Sequence, residues 1–371
     1  MFPAIPLSYQ TLYAELAQRA LDAAFSSDFS AAGRFIRQQS RGRYYWYFDR
    51  DDASGKKKRS YVGPVDDPEV TKRVDTFKTL KADIRARRKL VSSLVRDAYL
   101  TPPERKSGMV VQAVAEAGFF RLRGVLVGTL AYQCYSPVLG LRLPNTAAIT
   151  ADADFAQFHA ASSSVEDEID SLLDKLKEID PTFRAVPHMS DGRFSTRIVA
   201  KDGYRLDFLT PNASSDDYTG QPAPMPALGG MAAQPLRFLD YLIAEPIRAV
   251  LLHGPGIPVL VPAPERFAIH KLIVASRRLA DDNGLGKSLK DRLQATTLVG
   301  AMVQTRREAD IADCFMEAWD RGPHWQEALA KSLHALEPSD AALVIDTLSA
   351  GVVQLGGEPK EYGLTTGDAR R

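Results

Sequence analysis

The chain has 371 residues, 45% of them apolar and 25% charged, a make-up that excludes disordered and collagen-like classes and leaves room for two or three cores. A net charge of +1 hides an asymmetry, because 20 Lys and Arg face 10 Asp and Glu between Arg34 and Lys106, leaving about −9 for the rest. No apolar run approaches the roughly 20 residues needed to span a bilayer, and residues 1–4 lack the basic and apolar regions of a secretory signal, so a cytoplasmic protein without a membrane partner is expected.

In chain order, Leu7, Leu12, Leu16, Leu21 and Phe25 recur at helical spacing and predict one or two helices over 6–33. Residues 43–48 are aromatic and strand-like, 51–55 read as a turn, and 56–62 return as a second strand. The tip of this hairpin carries Lys56, Lys57, Lys58 and Arg59, candidates for phosphate contacts to nucleic acid. A long helix over 68–100 follows, with an apolar stripe of Val74, Phe77, Leu80, Ile84 and Leu90 and a basic face of Lys78, Lys81, Arg85, Arg87, Arg88 and Lys89. The basic front suits a polyanion, and a solvated helix face is the plain alternative.

Thr101-Pro102-Pro103 breaks the helix and sets a boundary near 105. Beyond it the pattern predicts a helix over 109–119, a strand over 122–127, a helix over 130–135 and a strand over 152–155. An acidic helix over 165–179 precedes a hairpin of 194–200 and 204–210 about Lys201-Asp202-Gly203. Residues 211–234, rich in Pro, Gly, Ala and Ser, read as a flexible loop. A third hairpin spans 249–261, five helices follow from 265 to 348, and the tail after 356 reads as disordered. The expected division is 1–105, 106–262, 263–355 and 356–371. The expected class is α+β or α/β, with a mixed sheet, flanking helices and a C-terminal helical bundle.

Chemistry concentrates in three acids. Residues i and i+2 of a strand share a face, so Asp152 and Asp154 project side by side, and two such carboxylates repel unless a cation lies between them. Magnesium takes one or two carboxylates together with substrate phosphates. Asp207, on the later strand, is placed to complete the cluster as a ligand of a second metal or as the base. Gly128 and Thr129, at a turn opening a helix, offer close backbone approach and a hydroxyl to phosphate oxygens. Cys134 and Cys314 are far apart and read as reduced thiols, and the six histidines form no pair at metal-ligand spacing.

Val127-Gly128-Thr129, Asp152-Ala153-Asp154 and Asp207, in that order, resemble the signature of the nucleotidyltransferase fold of the DNA polymerase beta-like superfamily. Residues 126–132, 139–144, 150–156 and 43–47 look like a bacterial group of that fold with largely unassigned substrates, and about 22 residues between Thr129 and Asp152 exceed the usual gap. The segment 264–278 with Lys290-Asp291 is similar to nucleotidyltransferase toxins of abortive-infection systems. That likeness implies a phosphate contact for Lys271 and a supporting role for Asp291. It also implies transfer of a nucleoside monophosphate from an NTP with Mg2+ in a two-ion site (Mn2+ as a substitute), releasing pyrophosphate. RNA, tRNA above all, is the favoured acceptor, with a protein hydroxyl or small molecule open, and an antitoxin is a conceivable partner. The rival class is a non-catalytic nucleic-acid-binding or regulatory protein on the same scaffold. Nucleotide preference and homo-oligomeric state are not legible.

Overall fold

The computed structural model describes residues 1–24, 33–40, 43–51, 57–145, 151–164, 171–212, 220–278 and 282–364. Helix α1 (Leu7–Ala24) buries Tyr13, Leu16 and Ala20 along one face. The expected continuation through Phe25 lies outside the described residues. Helix is replaced by strand from 34, where β1 (Arg34–Ser40) pairs antiparallel with β2 (Arg43–Asp51), and β2 with β3 (Lys57–Pro64). The sequence reading missed β1 because Phe35 and Ile36 are adjacent and its other residues are polar, so neither a period of 2 nor of 3.6 shows.

Helix α2 (Pro68–Arg96) crosses this three-stranded sheet and then turns a second face to α1. At the sheet, Phe35, Phe48 and Phe77 meet at centroid distances of 5.0–5.7 Å, and Trp46 Nε1 donates to Thr71 Oγ1 at 3.2 Å. Against α1, Asp83 accepts from Arg19 and Arg87 at 2.7 Å each. Arg87, expected on the basic solvent face, is instead buried and donates to Pro255 O at 3.0 Å. A helix that changes partners midway changes its buried face, which a single stripe drawn along the sequence misses.

The central sheet begins after α3 (Arg105–Glu116). Strand β4 (Val125–Val127) leads into α4 (Gly128–Gln133) and α5 (Tyr135–Leu139), and the chain returns as β5 (Asp152–Ala156). The acidic helix expected over 165–179 is shorter: α6 (His159–Ser164) precedes it, residues 165–170 are not described, and α7 (Leu172–Ile179) starts at a Ser171 cap. Strands β6 (Arg184–Pro187), β7 (Ser195–Val199) and β8 (Arg205–Pro211) follow. Strand β5 runs antiparallel to β4 and parallel to β8. With β5 along one edge of β8, the opposite edge is shared by β7 beside residues 205–207 and a later strand beside 209–211.

That later strand corrects the expected loop over 211–234. Residues 213–219 are not described, but β9 (Ala223–Pro224), a 3-10 turn (Pro226–Leu228) and β10 (Ala232–Leu236) are ordered elements, with Ala232 and Ala233 fully buried. Small side chains here fill a close-packed layer, so composition alone misleads. Helix α8 (Leu239–Ile243) and the hairpin of β11 (Ile247–Leu251) and β12 (Ile257–Val261) lead to five helices, as expected: α9 (Pro264–Ala275), α10 (Asp282–Gln304), α11 (Glu308–Asp320), α12 (Pro323–His334) and α13 (Pro338–Gln354). The tail is ordered further than expected, because a 3-10 turn at Pro359–Tyr362 carries Leu364 into the core. The chain start is tied down as well: Phe2 N donates to Gln304 Oε1 at 2.8 Å, and Ile5 N donates to Gly140 O at 2.8 Å.

Candidate active site

The parallel pairing of β5 with β8 sets Asp152 opposite Arg205 and Asp154 opposite Asp207. Opposed residues in a parallel pair share a face, so all three acids and Arg205 lie on one side of the sheet. Arg205 Nη2 donates to Asp152 Oδ2 at 2.9 Å, and its Nε, buried without a hydrogen-bond acceptor, lies 3.8 Å from Asp207 Oδ2. Arg197, opposite Asp207 on β7, donates to Asp207 Oδ1 from its own Nε. Asp154 is different: among the described residues it makes no ion pair. Burial, then the neighbouring charges of Asp152 and Asp207, push its carboxyl up to about 7.

Gly128 brings the β4 turn against this acid. Its φ of +68° lies in the left-handed region, and an added Cβ would meet Asp154 Oδ2 at 2.6 Å. Both observations call for glycine. Thr129 Oγ1 accepts from Lys290 Nζ at 2.9 Å, which brings α10 over the start of α4. Burial and then the charge of Lys271 lower the Lys290 ammonium below its usual range, with Asp152, Asp291 and Asp154 opposing. Lys290 is thus a half-buried cation whose hydrogen-bond partner is a neutral hydroxyl.

Lys271, on α9, donates to Asp291 Oδ1 at 2.6 Å and lies 5.2 Å from the Phe267 ring centroid. Asp291 is 3% exposed and also accepts from Arg278 Nε at 2.9 Å. Burial alone would raise its carboxyl, but Lys271 and Arg278 outweigh it and hold it below the usual range. Neighbouring His270 is pushed down to about 3 by burial and by Lys271, so it is neutral at physiological pH.

Six of the residues singled out from sequence therefore gather around one end of β4, β5 and β8: Gly128, Thr129, Asp152, Asp154, Asp207 and Lys271, with Asp291 fixing Lys271. Of the four hairpin cations, Arg59 does not join them. Lys56 lies outside the described residues, Lys57 and Lys58 lie in β3, and Arg59 is engaged by Asp49 at 2.6 Å and by Gln38 at 3.0 Å. Sequence reasoning missed Arg197 and Arg205, and named Lys290 only within the Lys290-Asp291 pair, without its contact to Thr129. Arg205 shares the face of Asp207 by its i−2 spacing, and that signal was available.

The donor set suits magnesium in chemistry: hard carboxylate oxygens around a half-buried acid that is in no ion pair among the described residues, with only the more distant charges of Lys271 and Arg205 opposing its neighbours. Among the described residues, however, no group of three or more His, Cys, Asp and Glu side chains is disposed to hold an ion. Arg205 lies across Asp152 and Asp207 instead. A full protein cage is not required, because this ion is commonly held by one or two carboxylates together with substrate phosphates.

Residues 105–320, from α3 to the end of α11, match a family model described as Nucleotidyltransferase. No curated protein and no solved structure matches the chain.

Proposed function

As a member of the nucleotidyltransferase family, the chain is an enzyme that moves a nucleotidyl group from a nucleoside triphosphate, and we propose that it does so with magnesium and onto RNA, tRNA above all. The observation that carries the reading is the Asp154–Asp207 register, which sets a third acid beside the Asp152–Asp154 pair with Gly128 at their flank.

Strand order supports a direction for the reaction. The sheet runs from β4 through β5 to β8, with β7 on the far edge. On the β4 side, Gly128, Thr129, Lys290 and Lys271 would receive the triphosphate. Asp152 and Asp154 would then lie under the α-phosphate and hold the ion, which supplies charge neutralisation at the oxygens of the transferred group. On the β8 side, Asp207 would face the acceptor hydroxyl and take its proton as the oxygen–phosphorus bond forms and the bond to pyrophosphate breaks. Arg197 and Arg205 would keep Asp207 oriented, and Asp291 would keep Lys271 extended toward the phosphates. Conserving the reaction on RNA would suit a toxin restrained by an antitoxin, as the likeness of α9 implies.

The basic segment between Arg34 and Lys106 supports RNA over a protein or small-molecule acceptor. The test supplies α-labelled and γ-labelled NTPs with Mg2+ and a cell-extract acceptor pool. Label from the α position alone, in ribonuclease-sensitive material, is the expected result. Label resistant to ribonuclease and sensitive to protease would overturn the RNA acceptor.

A further inference from the structure

The cations expected to meet nucleic acid at the hairpin tip include Arg59, which is committed to Asp49 and Gln38. The exposed side of α2 differs. At 100° per residue, Lys81, Arg85, Arg88, Lys89, Ser92 and Arg96 fall within an arc of about 100°, and they extend over roughly 22 Å of helix. Arg85, Arg88, Lys89 and Arg96 are exposed. Among the described residues none of these cations is in an ion pair. The acid of this part of α2, Asp83, is turned to Arg19 and Arg87, and Asp97, just past the helix, accepts from Ser93 Oγ at 2.6 Å.

A second feature follows three residues beyond the stripe in the chain. Just past α2, Tyr99 is 73% exposed with a φ of +57°, an unfavourable backbone for a bulky residue. The Arg142 guanidinium lies 5.3 Å from its ring centroid, while Arg142 Nε donates to Ala98 O at 3.0 Å. Arg142 holds the ring, most of which remains open to solvent. An exposed aromatic ring beside a guanidinium suits stacking with a base.

Resting on the RNA reading above, we propose that the exposed face of α2, with Tyr99 and Arg142 at its end, binds the phosphate backbone of the RNA acceptor. Unpaired cations at successive helical turns match a repeating chain of phosphates, and they gain by releasing its counterions. An anionic membrane fits less well. The stripe holds no apolar residue to insert, and Val91 and Leu94 of the same helix are buried within the protein.

The test measures binding of labelled bulk tRNA to the full chain by filter retention between 50 and 200 mM KCl. For Arg85→Glu/Arg88→Glu the expected result is at least a ten-fold loss of affinity and a salt slope shallower by about two. The milder Arg85→Gln/Arg88→Gln should show the same slope change, and an unaltered thermal midpoint certifies both folds. Tyr99→Ala should lose about ten-fold in affinity with little change in slope. Wild-type affinity and slope in both arginine variants would overturn the proposal. So would a wild type that retains no tRNA but sediments with phosphatidylserine vesicles. Binding is read without turnover, so failure of label transfer to RNA would strike the acceptor reading and leave this surface standing.

Discussion

Asp154 and Asp207 stand opposite one another in the parallel pairing of β5 with β8, and among the described residues Asp154 is the one of the three acids that is in no ion pair. Arg205 and Arg197 compensate Asp207, and Arg205 compensates Asp152. This half-buried acid, opposed only by the more distant charges of Lys271 and Arg205, is where a bound cation would gain most.

The consequence is a pH dependence with a definite sign. The Asp154 carboxyl is raised to about 7 in the fold, against about 3.8 unfolded, so the folded protein holds a proton there that the unfolded chain has lost. Its contribution favours folding at low pH and fades as pH climbs through 7. His270, lowered to about 3, has the opposite slope below about 6.5, but Asp154→Asn retains it. Without divalent ions, the thermal midpoint of Asp154→Asn relative to wild type should therefore rise between pH 5 and 8. The full effect is on the order of a few kcal/mol. Calorimetry at each pH checks it, and magnesium uptake by the wild type at pH 6 should release a proton.

Gly128→Ala puts a methyl group against Asp154 Oδ2 at a φ of +68°. The backbone term alone costs about 1–2 kcal/mol. The variant should melt several degrees lower and lose transfer by at least ten-fold. Denaturant unfolding with parallel turnover assays separates the two losses.

Asp291→Ala leaves Lys271 and Arg278 without their shared acid. Removing one partner from a buried ion pair costs about 3–5 kcal/mol. Urea titration should show that loss, and KM for NTP should rise because Lys271 is no longer held.

Lys290→Met removes the ammonium above Thr129 while preserving its length. Affinity for an NTP should fall about ten-fold, with affinity for the corresponding nucleoside monophosphate nearly unchanged, as read by calorimetric titration. Equal losses for both ligands would remove Lys290 from the triphosphate side.

Much of this arrangement is legible in the sequence. The Asp-x-Asp strand, the glycine turn and the Lys201-Asp202-Gly203 hairpin are local signals carried by period and turn chemistry. That hairpin also held an unread result: a turn centred on Asp202 sets Arg197 opposite Asp207, as the pairing has it. Strand β10 was hidden by its small residues and β1 by its polar ones, since both depend on tertiary pairing rather than on local pattern. The contact of Lys290 with Thr129 joins residues 161 positions apart, a separation no local pattern reports.

Transfer of label from an α-labelled NTP to RNA by wild type and by Asp152→Ala, side by side in magnesium, tests the central claim most directly. Asp152 is partly exposed at the strand end, so the variant should fold, and thermal unfolding verifies that. The expected result is magnesium-dependent labelling by the wild type and none above background by the variant. Equal labelling by the two proteins, or none by either across all four NTPs, would contradict catalysis by these acids.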